Sequence, residues 1–310
     1  MNMQAMAIDD FGTLPTLHDL REPEPAEGEV RVRVEYASVN GFDLAVMSGA
    51  TRAVMEHRFP IVLGKDFAGT VDEVGPGVIG VAVGDQVFGV IMKPALGDGT
   101  FGEMVTAPAA YLTAIPDGVD HQRAGALGLA GAAALSAVDA VAPAPGETVL
   151  ISGATGGVGS LAVQLAAQRG AYVIATAHPG EEAFVRGLGA AATVDYSDDV
   201  VEAVIGMRPD GLHSVVHLAG DGLELADTLA SGGRFASTVG LGPEHFAGRD
   251  LEAYAVMALP STEVLDRLAA DVATGRLIVP VHSVYPLKEV PQALQDFAGP
   301  KFGKFVIAVA

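Results

Sequence analysis

The sequence predicts an α/β protein in two parts, a doubly wound parallel sheet preceded by a compact β-rich domain. Three observations lead there. The chain has 310 residues, half of them hydrophobic, which is long for one average core and comfortable for two domains. Strand-like runs separated by glycine and proline turns fill it up to Pro116, Asp117 and Gly118. From there strand and helix patterns alternate, as they do when helices carry the chain between parallel strands.

Taken in order, residues 29–36 alternate apolar and polar side chains like a half-exposed strand, and 67–74 and 81–90 read as strands broken by glycine turns. Such short strands with irregular connections predict a barrel-like domain. Residues 122–141 read as a helix and 143–146 as a connector into the apolar run Val149, Leu150, Ile151. Further strands are expected near Ala171, Thr193, Ser214 and Arg234, separated by helix-length intervals such as 181–188 and 221–229, with a sixth strand within 251–257. Residues 262–273 form an amphipathic helix pattern. The last segment gives a strand, a helix at 287–297 and a strand at 304–309, able to return and complete the first domain. The expected divisions are therefore 1–118, 119–258 and 259–310, without internal repeats or a low-complexity linker.

The run 148–177 carries the clearest chemistry. An apolar strand enters the cluster Gly153, Gly156, Gly157, Gly159, and apolar residues then recur at Val158, Leu161, Ala162, Leu165 and Ala166. Glycines let a backbone approach a phosphate, and the first N–H groups of a helix lack internal partners and carry positive partial charge. The spacing Ala154-x-Gly156-x-x-Gly159 is the dinucleotide fingerprint with alanine for its first glycine. Thr155, Gly157 and Val158 complete the turn.

Composition excludes several alternatives. With no cysteine there are no disulfides, no thiolate-bound zinc and no thiol nucleophile. A formal net charge of -20 argues against nucleic acid, whose binders need a basic footprint, and disfavours anionic membranes. The first residues lack the basic-then-apolar pattern of a secretory signal, and the apolar region 124–141 reads as a packed helix of a cytoplasmic protein rather than a membrane span.

The order of parts resembles the zinc-independent quinone oxidoreductases of the medium-chain dehydrogenase/reductase superfamily. The residues that carry the likeness are Ala37, Asn40, Gly41 and Asp43, then Phe59, Pro60, Gly64, Lys65, Asp66 and Gly69, then Val74, Gly75, Gly84, Asp85 and Val87. The glycine turn, Gly187 to Ala190, Asp195, Tyr196, Tyr285, Gly303 and Lys304 continue it. The resemblance implies a GroES-like catalytic domain built from both chain ends, a Rossmann domain between, a nicotinamide cofactor, a quinone or conjugated enone as substrate, and a homodimer. Where zinc alcohol dehydrogenases of the superfamily place a cysteine and a His-Glu pair, this chain has Asn40 and Gly64, Lys65, Asp66. No metal site is expected, and His213 and His217, four apart in a strand, share a face without forming one.

The end of the second strand bears on the cofactor. An NAD-selective site places an acid there for the ribose hydroxyls, whereas Thr176, Ala177 and His178 include none. His178 can accept a 2′-phosphate, and the resemblance adds Tyr196 and Lys301 as neighbours, so NADPH is expected. Glu181 and Glu182 lie close and alternatively serve only to cap the next helix. Leu218, Ala219, Gly220 and Thr238, Val239, Gly240 stand at strand ends, where ligands of such sheets bind. The helix near Gly131 has alanines where the family commonly has a threonine that contacts the cofactor.

Hydride reduction needs alignment and a donor for the oxygen that gains charge. Asn40 is one candidate catalytic residue, through its side-chain amide, or else a turn former before Gly41. Lys65 is the other: an ammonium in a metal-ligand slot can stabilise the reduced oxygen, or else is a loop lysine paired with Asp66 or solvent. An enoyl thioester reductase and a non-catalytic NADPH-binding protein share these motifs and remain alternatives.

Overall fold

Both ends of the chain feed one β-rich unit. The computed structural model describes residues 1–309, and they form two compact units, Met1–Leu129 with the chain from Pro260 onward, and Ala130–Leu259.

In the first unit the strand Glu29–Ser38 is central. Val30, Val32 and Val34 alternate inward and are fully buried, as the period-two pattern requires. The strand pairs antiparallel with Asp66–Val74, with Met104–Pro108 and with the C-terminal strand Lys304–Ala308, where Val306 lies opposite Ser38 and Ile307 opposite Ala37. Beyond Asp66–Val74 the sheet continues through Gln86–Val90 and Leu112–Ala114, and beyond Lys304–Ala308 through Val281–Pro286. Phe67, Phe101, Phe305, Ile8 and Ile61 fill the core. Only Gln86–Val90 of the expected strand 81–90 forms. Gly84 turns the chain at φ 94, and the Asp85 carboxylate accepts from the Ala82 N–H at 2.8 Å, a local alternative to ladder pairing.

The helix His121–Val141 contains the division between units, which therefore falls later than the expected 118/119 boundary. Its first turns sit so close to the β-rich sheet that a Cβ added at Gly125 would lie 2.9 Å from the Tyr36 carbonyl oxygen, and one at Gly128 2.8 Å from Val90. The helix is long and apolar enough to cross a membrane by composition, and most of that apolar window is buried in the protein.

The second unit is a six-stranded parallel sheet in the spatial order Ala192–Val194, Tyr172–Thr176, Thr148–Ile151, Leu212–His217, Leu229–Ser237, Leu251–Ala255. Thr148–Ile151, the first strand of this unit, lies mid-sheet and the order reverses beside it, which makes its carboxyl end the topological switch point. The helices Gly157–Gln168, Glu182–Gly187, Val200–Met207 and Gly222–Leu225 connect the strands. Residues 221–229, expected as one helix, divide into that last short helix and the 3₁₀ turn Ala226–Thr228. The helix Thr262–Ala273, in the first unit, has the expected bounds, with the Ser261 hydroxyl accepting from the Val264 N–H.

Candidate active site

The glycine turn lies at the carboxyl end of Thr148–Ile151 and opens the twelve-residue helix Gly157–Gln168. Gly153 has φ +62, and a Cβ at Gly159 would come 2.1 Å from the Gly153 carbonyl oxygen, so the helix start folds against the turn only with glycine there. A Cβ at Gly156 would meet that oxygen at 3.4 Å, an ordinary contact. Ala154, at the first fingerprint position, is fully buried. The helix presents its first N–H groups beside a close-packed glycine backbone, which fits a dinucleotide phosphate.

Side chains outside the fingerprint lace this edge together. The Ser152 hydroxyl accepts from the N–H groups of Leu218 and Ala219 at 3.0 and 3.2 Å, and the Thr176 hydroxyl accepts from Gly153 N–H at 2.9 Å. His217 is buried at the end of its strand. Its Nε2 lies 3.0 Å from the Gly220 carbonyl, which can only accept, so Nε2 carries the proton and Nδ1 accepts from the Ser237 hydroxyl at 3.0 Å. Burial holds its pKa below the usual histidine value, which keeps this neutral tautomer. Ser237 Oγ also receives the Val239 and Leu241 N–H groups at 3.2 and 3.4 Å. The segments 218–220 and 238–240 are thus tied to the turn, and Ser152, His217 and Ser237 are organising residues that motif reading missed.

Past the end of the second strand, Glu181 lies close, as expected, but its side chain does not cap the next helix. Glu181 is buried; its Oε2 accepts from the His178 N–H at 2.8 Å and its Oε1 from the Tyr196 hydroxyl at 3.4 Å. The His178 and Tyr196 rings pack at 5.8 Å between centroids. Lys301 belongs to the first unit, where its ammonium donates to the Phe297 carbonyl at 2.5 Å and lies 4.2 Å over the Phe297 ring.

The first unit buries a polar cluster where three chain segments meet. Asp66, fully buried, begins its strand opposite Ser38. Its Oδ2 accepts from the Ser38 hydroxyl at 2.6 Å and the Asn40 amide at 2.9 Å, while Oδ1 accepts from the Leu129 N–H at 2.6 Å. Lys304 arrives on the C-terminal strand with Nζ 3.1 Å from Val39 O, 2.5 Å from Asn40 Oδ1 and 3.5 Å from Asp66 Oδ2. All three partners are acceptors, so the nitrogen must supply three protons and is the ammonium. Burial pulls its pKa down and the Asp66 and Asp43 charges pull it back up. The Asn40 amide also donates to Ser38 O at 3.2 Å, so its N–H protons already have acceptors and its oxygen is held by Lys304. Asp43 accepts from Asn40 N–H at 2.8 Å and Gly64 N–H at 3.0 Å, and burial pushes its carboxyl up to about 7.

Lys65 stands next to this cluster without joining it. The residue is 7% exposed, lines a small pocket with Phe42, Leu63 and Ile91, and holds its ammonium 5.2 Å over the Phe42 ring. No hydrogen-bond or ion-pair partner meets its ammonium among the described residues, and the carboxylate beside it in sequence is paired with Lys304 instead. Burial lowers its pKa, against the pull of Asp43 and Asp66.

Zinc does not fit this cluster. The amide and carboxylate oxygens face protein donors, an ammonium stands among them, and no group of three metal-ligating side chains occurs among the described residues. The alcohol dehydrogenase GroES-like domain family matches residues 26–117, and the zinc-binding dehydrogenase family matches 157–259. The quinone oxidoreductase from Coxiella burnetii superimposes over 100% of both chains with a TM-score of 0.89 at 28% identity.

The chain is a medium-chain dehydrogenase/reductase.

The chloroplast envelope quinone oxidoreductase homolog of Arabidopsis thaliana is 28% identical over 303 residues, 92% of this chain and 91% of that protein. The polyketide synthase GfsB of Streptomyces halstedii is 33% identical over 299 residues, 91% of this chain but 5% of that protein. This medium-chain reductase therefore spans only a small part of the polyketide synthases it matches, and nearly the whole of its quinone oxidoreductase relatives.

Proposed function

We propose that this oxidoreductase uses NADPH to reduce a quinone or conjugated enone by direct hydride transfer without a metal. The observation that carries the reading is the Lys65 ammonium, buried at a pocket wall and bound to no protein acceptor, in a position where zinc relatives place a ligand. The bound nicotinamide supplies the hydride. Lys65 donates to the substrate oxygen as it gains negative charge, in a setting where low polarity strengthens the interaction. Asn40, whose amide protons are held by Ser38 and Asp66, positions the segment leading to Gly41–Ser48 rather than meeting substrate. The turn 153–159 takes the pyrophosphate, and the segments 176–178, 218–220 and 238–240 border the rest of the cofactor. His178 and Tyr196 flank the adenosine phosphate, and the favoured cofactor is NADPH because Thr176, Ala177 and His178 include no acid and His178 can meet a 2′-phosphate. A homodimer fits the family resemblance and is checked by sedimentation.

The likeness to polyketide synthases favours a second reading, reduction of an enoyl thioester by the same hydride chemistry. One panel separates them: oxidation of NADPH and NADH measured with quinones, alkenals and enoyl thioesters. Turnover of quinones or alkenals with higher kcat/KM for NADPH is expected. Preference for thioesters selects the second reading, NADH matching NADPH removes the cofactor assignment, and binding without oxidation of any substrate overturns the enzyme reading.

A further inference from the structure

Two lysines approach one carboxylate, and only one pairs with it. Lys65 is the chain neighbour of Asp66, yet the cation at Asp66 Oδ2 is Lys304, which comes from the far end of the chain and lies at 3.5 Å. Lys304 is 2% exposed and held by three acceptors, so it does not reach for ligand. Asp66 has both oxygens occupied by Ser38, Asn40, Leu129 and Lys304. The pocket's other charges are compensated as well: Lys93 lies 3.3 Å from Asp98 and 3.4 Å from Glu29, and Asp43 accepts two backbone N–H groups.

We propose that Lys304 is a positioning residue whose buried ammonium saturates Asp66 and Asn40, and so leaves the Lys65 ammonium as the uncommitted charge at the pocket. The inference rests on the reading that Lys65 meets the substrate oxygen. The charges that face Lys65 are Asp43 and Asp66, with Lys93 and Asp98 on the pocket wall and Lys304 behind Asp66. If Lys304 is replaced by a neutral residue, a positive charge near Lys65 is removed and Lys65 holds its proton more tightly. If Asp66 is made neutral, the surplus Lys304 charge acts on Lys65 in the opposite sense. A Lys304 that only fills space would leave Lys65 titrating at one pH in every variant.

The chain has five lysines, so selective ¹³C labelling of lysine gives a simple spectrum in which Lys65 is assigned by its loss in Lys65→Met. The Lys65 Cε resonance is titrated in the full-length protein, in Lys304→Met and in Asp66→Asn. The midpoint is expected to rise in Lys304→Met and to fall in Asp66→Asn, each by about one to two pH units, the size of one charge about 6–12 Å away at an effective dielectric near 20. The basic limb of the kcat/KM profile moves with it, and Lys304→Arg, which keeps the charge, restores the wild-type midpoint. An unchanged Lys65 midpoint in whichever of Lys304→Met and Asp66→Asn folds overturns the inference. Undiminished activity of Lys65→Met would instead sink the functional reading, while the titration still decides the coupling between the two lysines.

Discussion

Replacing Lys65 by methionine separates activity from stability in a way the two buried lysines make quantitative. Among the described residues the Lys65 ammonium gives no hydrogen bond or ion pair to lose; it lies 5.2 Å over the Phe42 ring, a contact worth about 0.5–2 kcal/mol. Against that loss stands the relief of no longer burying an ammonium, so the unfolding free energy is expected to move by less than about 1 kcal/mol. At Lys304 the same substitution strands Val39 O, Asn40 Oδ1 and Asp66, and breaking such a buried pair costs about 3–5 kcal/mol. The activity of Lys65→Met should nevertheless fall about 10²–10³-fold in kcat/KM, as when one oxyanion donor is removed. Urea denaturation and steady-state kinetics on the same preparation read both quantities. A Lys65→Met protein with kcat/KM within about threefold of wild type would refute the donor role, and one destabilised as strongly as Lys304→Met would refute the description of its surroundings.

Other outcomes follow from single contacts. Gly159→Ala should weaken nucleotide binding at least tenfold or prevent folding, roughly 1.4 kcal/mol or more, because its Cβ would lie 2.1 Å from backbone, whereas Gly156→Ala at 3.4 Å should bind nearly as well; equal affinities by calorimetry would contradict this. Asp43 holds its proton up to about pH 7 when folded but releases it near 3.8 when unfolded, so between these values the folded state binds more protons and stability falls as pH rises. The loss in wild type relative to Asp43→Asn should reach up to about 4 kcal/mol between pH 4 and 7, and a pH-independent difference in urea denaturation would count against it. His178→Ala should lower kcat/KM for NADPH more than for NADH, and an equal loss with both cofactors would remove His178 from the phosphate site.

Elements whose signal is local were legible in the sequence. Thr262–Ala273 announced itself through Leu265, Leu268 and Ala269 on one face and Ser261 as cap. Val200–Met207 fills the helix-length interval expected between the strands near Thr193 and Ser214, and Asp199 caps it by accepting from the Glu202 N–H. The start of Leu229–Ser237 was hidden because Ser231, Gly232 and Gly233 read as a turn, while the structure carries them through a register irregularity against Leu212–His217. Val81 and Val83 imitated a strand because alternation records side chains and not the Asp85 acceptor that takes the Ala82 N–H. In the site, Asn40, Asp66 and the glycine turn were readable as motifs. The partner of Asp66 was not, since Lys65 is adjacent in sequence and Lys304 comes to it only through the pairing of Lys304–Ala308 with Glu29–Ser38. Glu181 was legible as an acid close to the strand end, but its hold on His178 was not, because it depends on the backbone turn after the second strand.

The most direct test of hydride transfer is the fate of deuterium from the nicotinamide C4 position. With NADPH deuterated at both C4 positions and a conjugated enone under single-turnover conditions, one deuterium is expected on the β-carbon of the product, with none released to water. Reduced enone without that label, or label recovered in solvent, would contradict direct transfer.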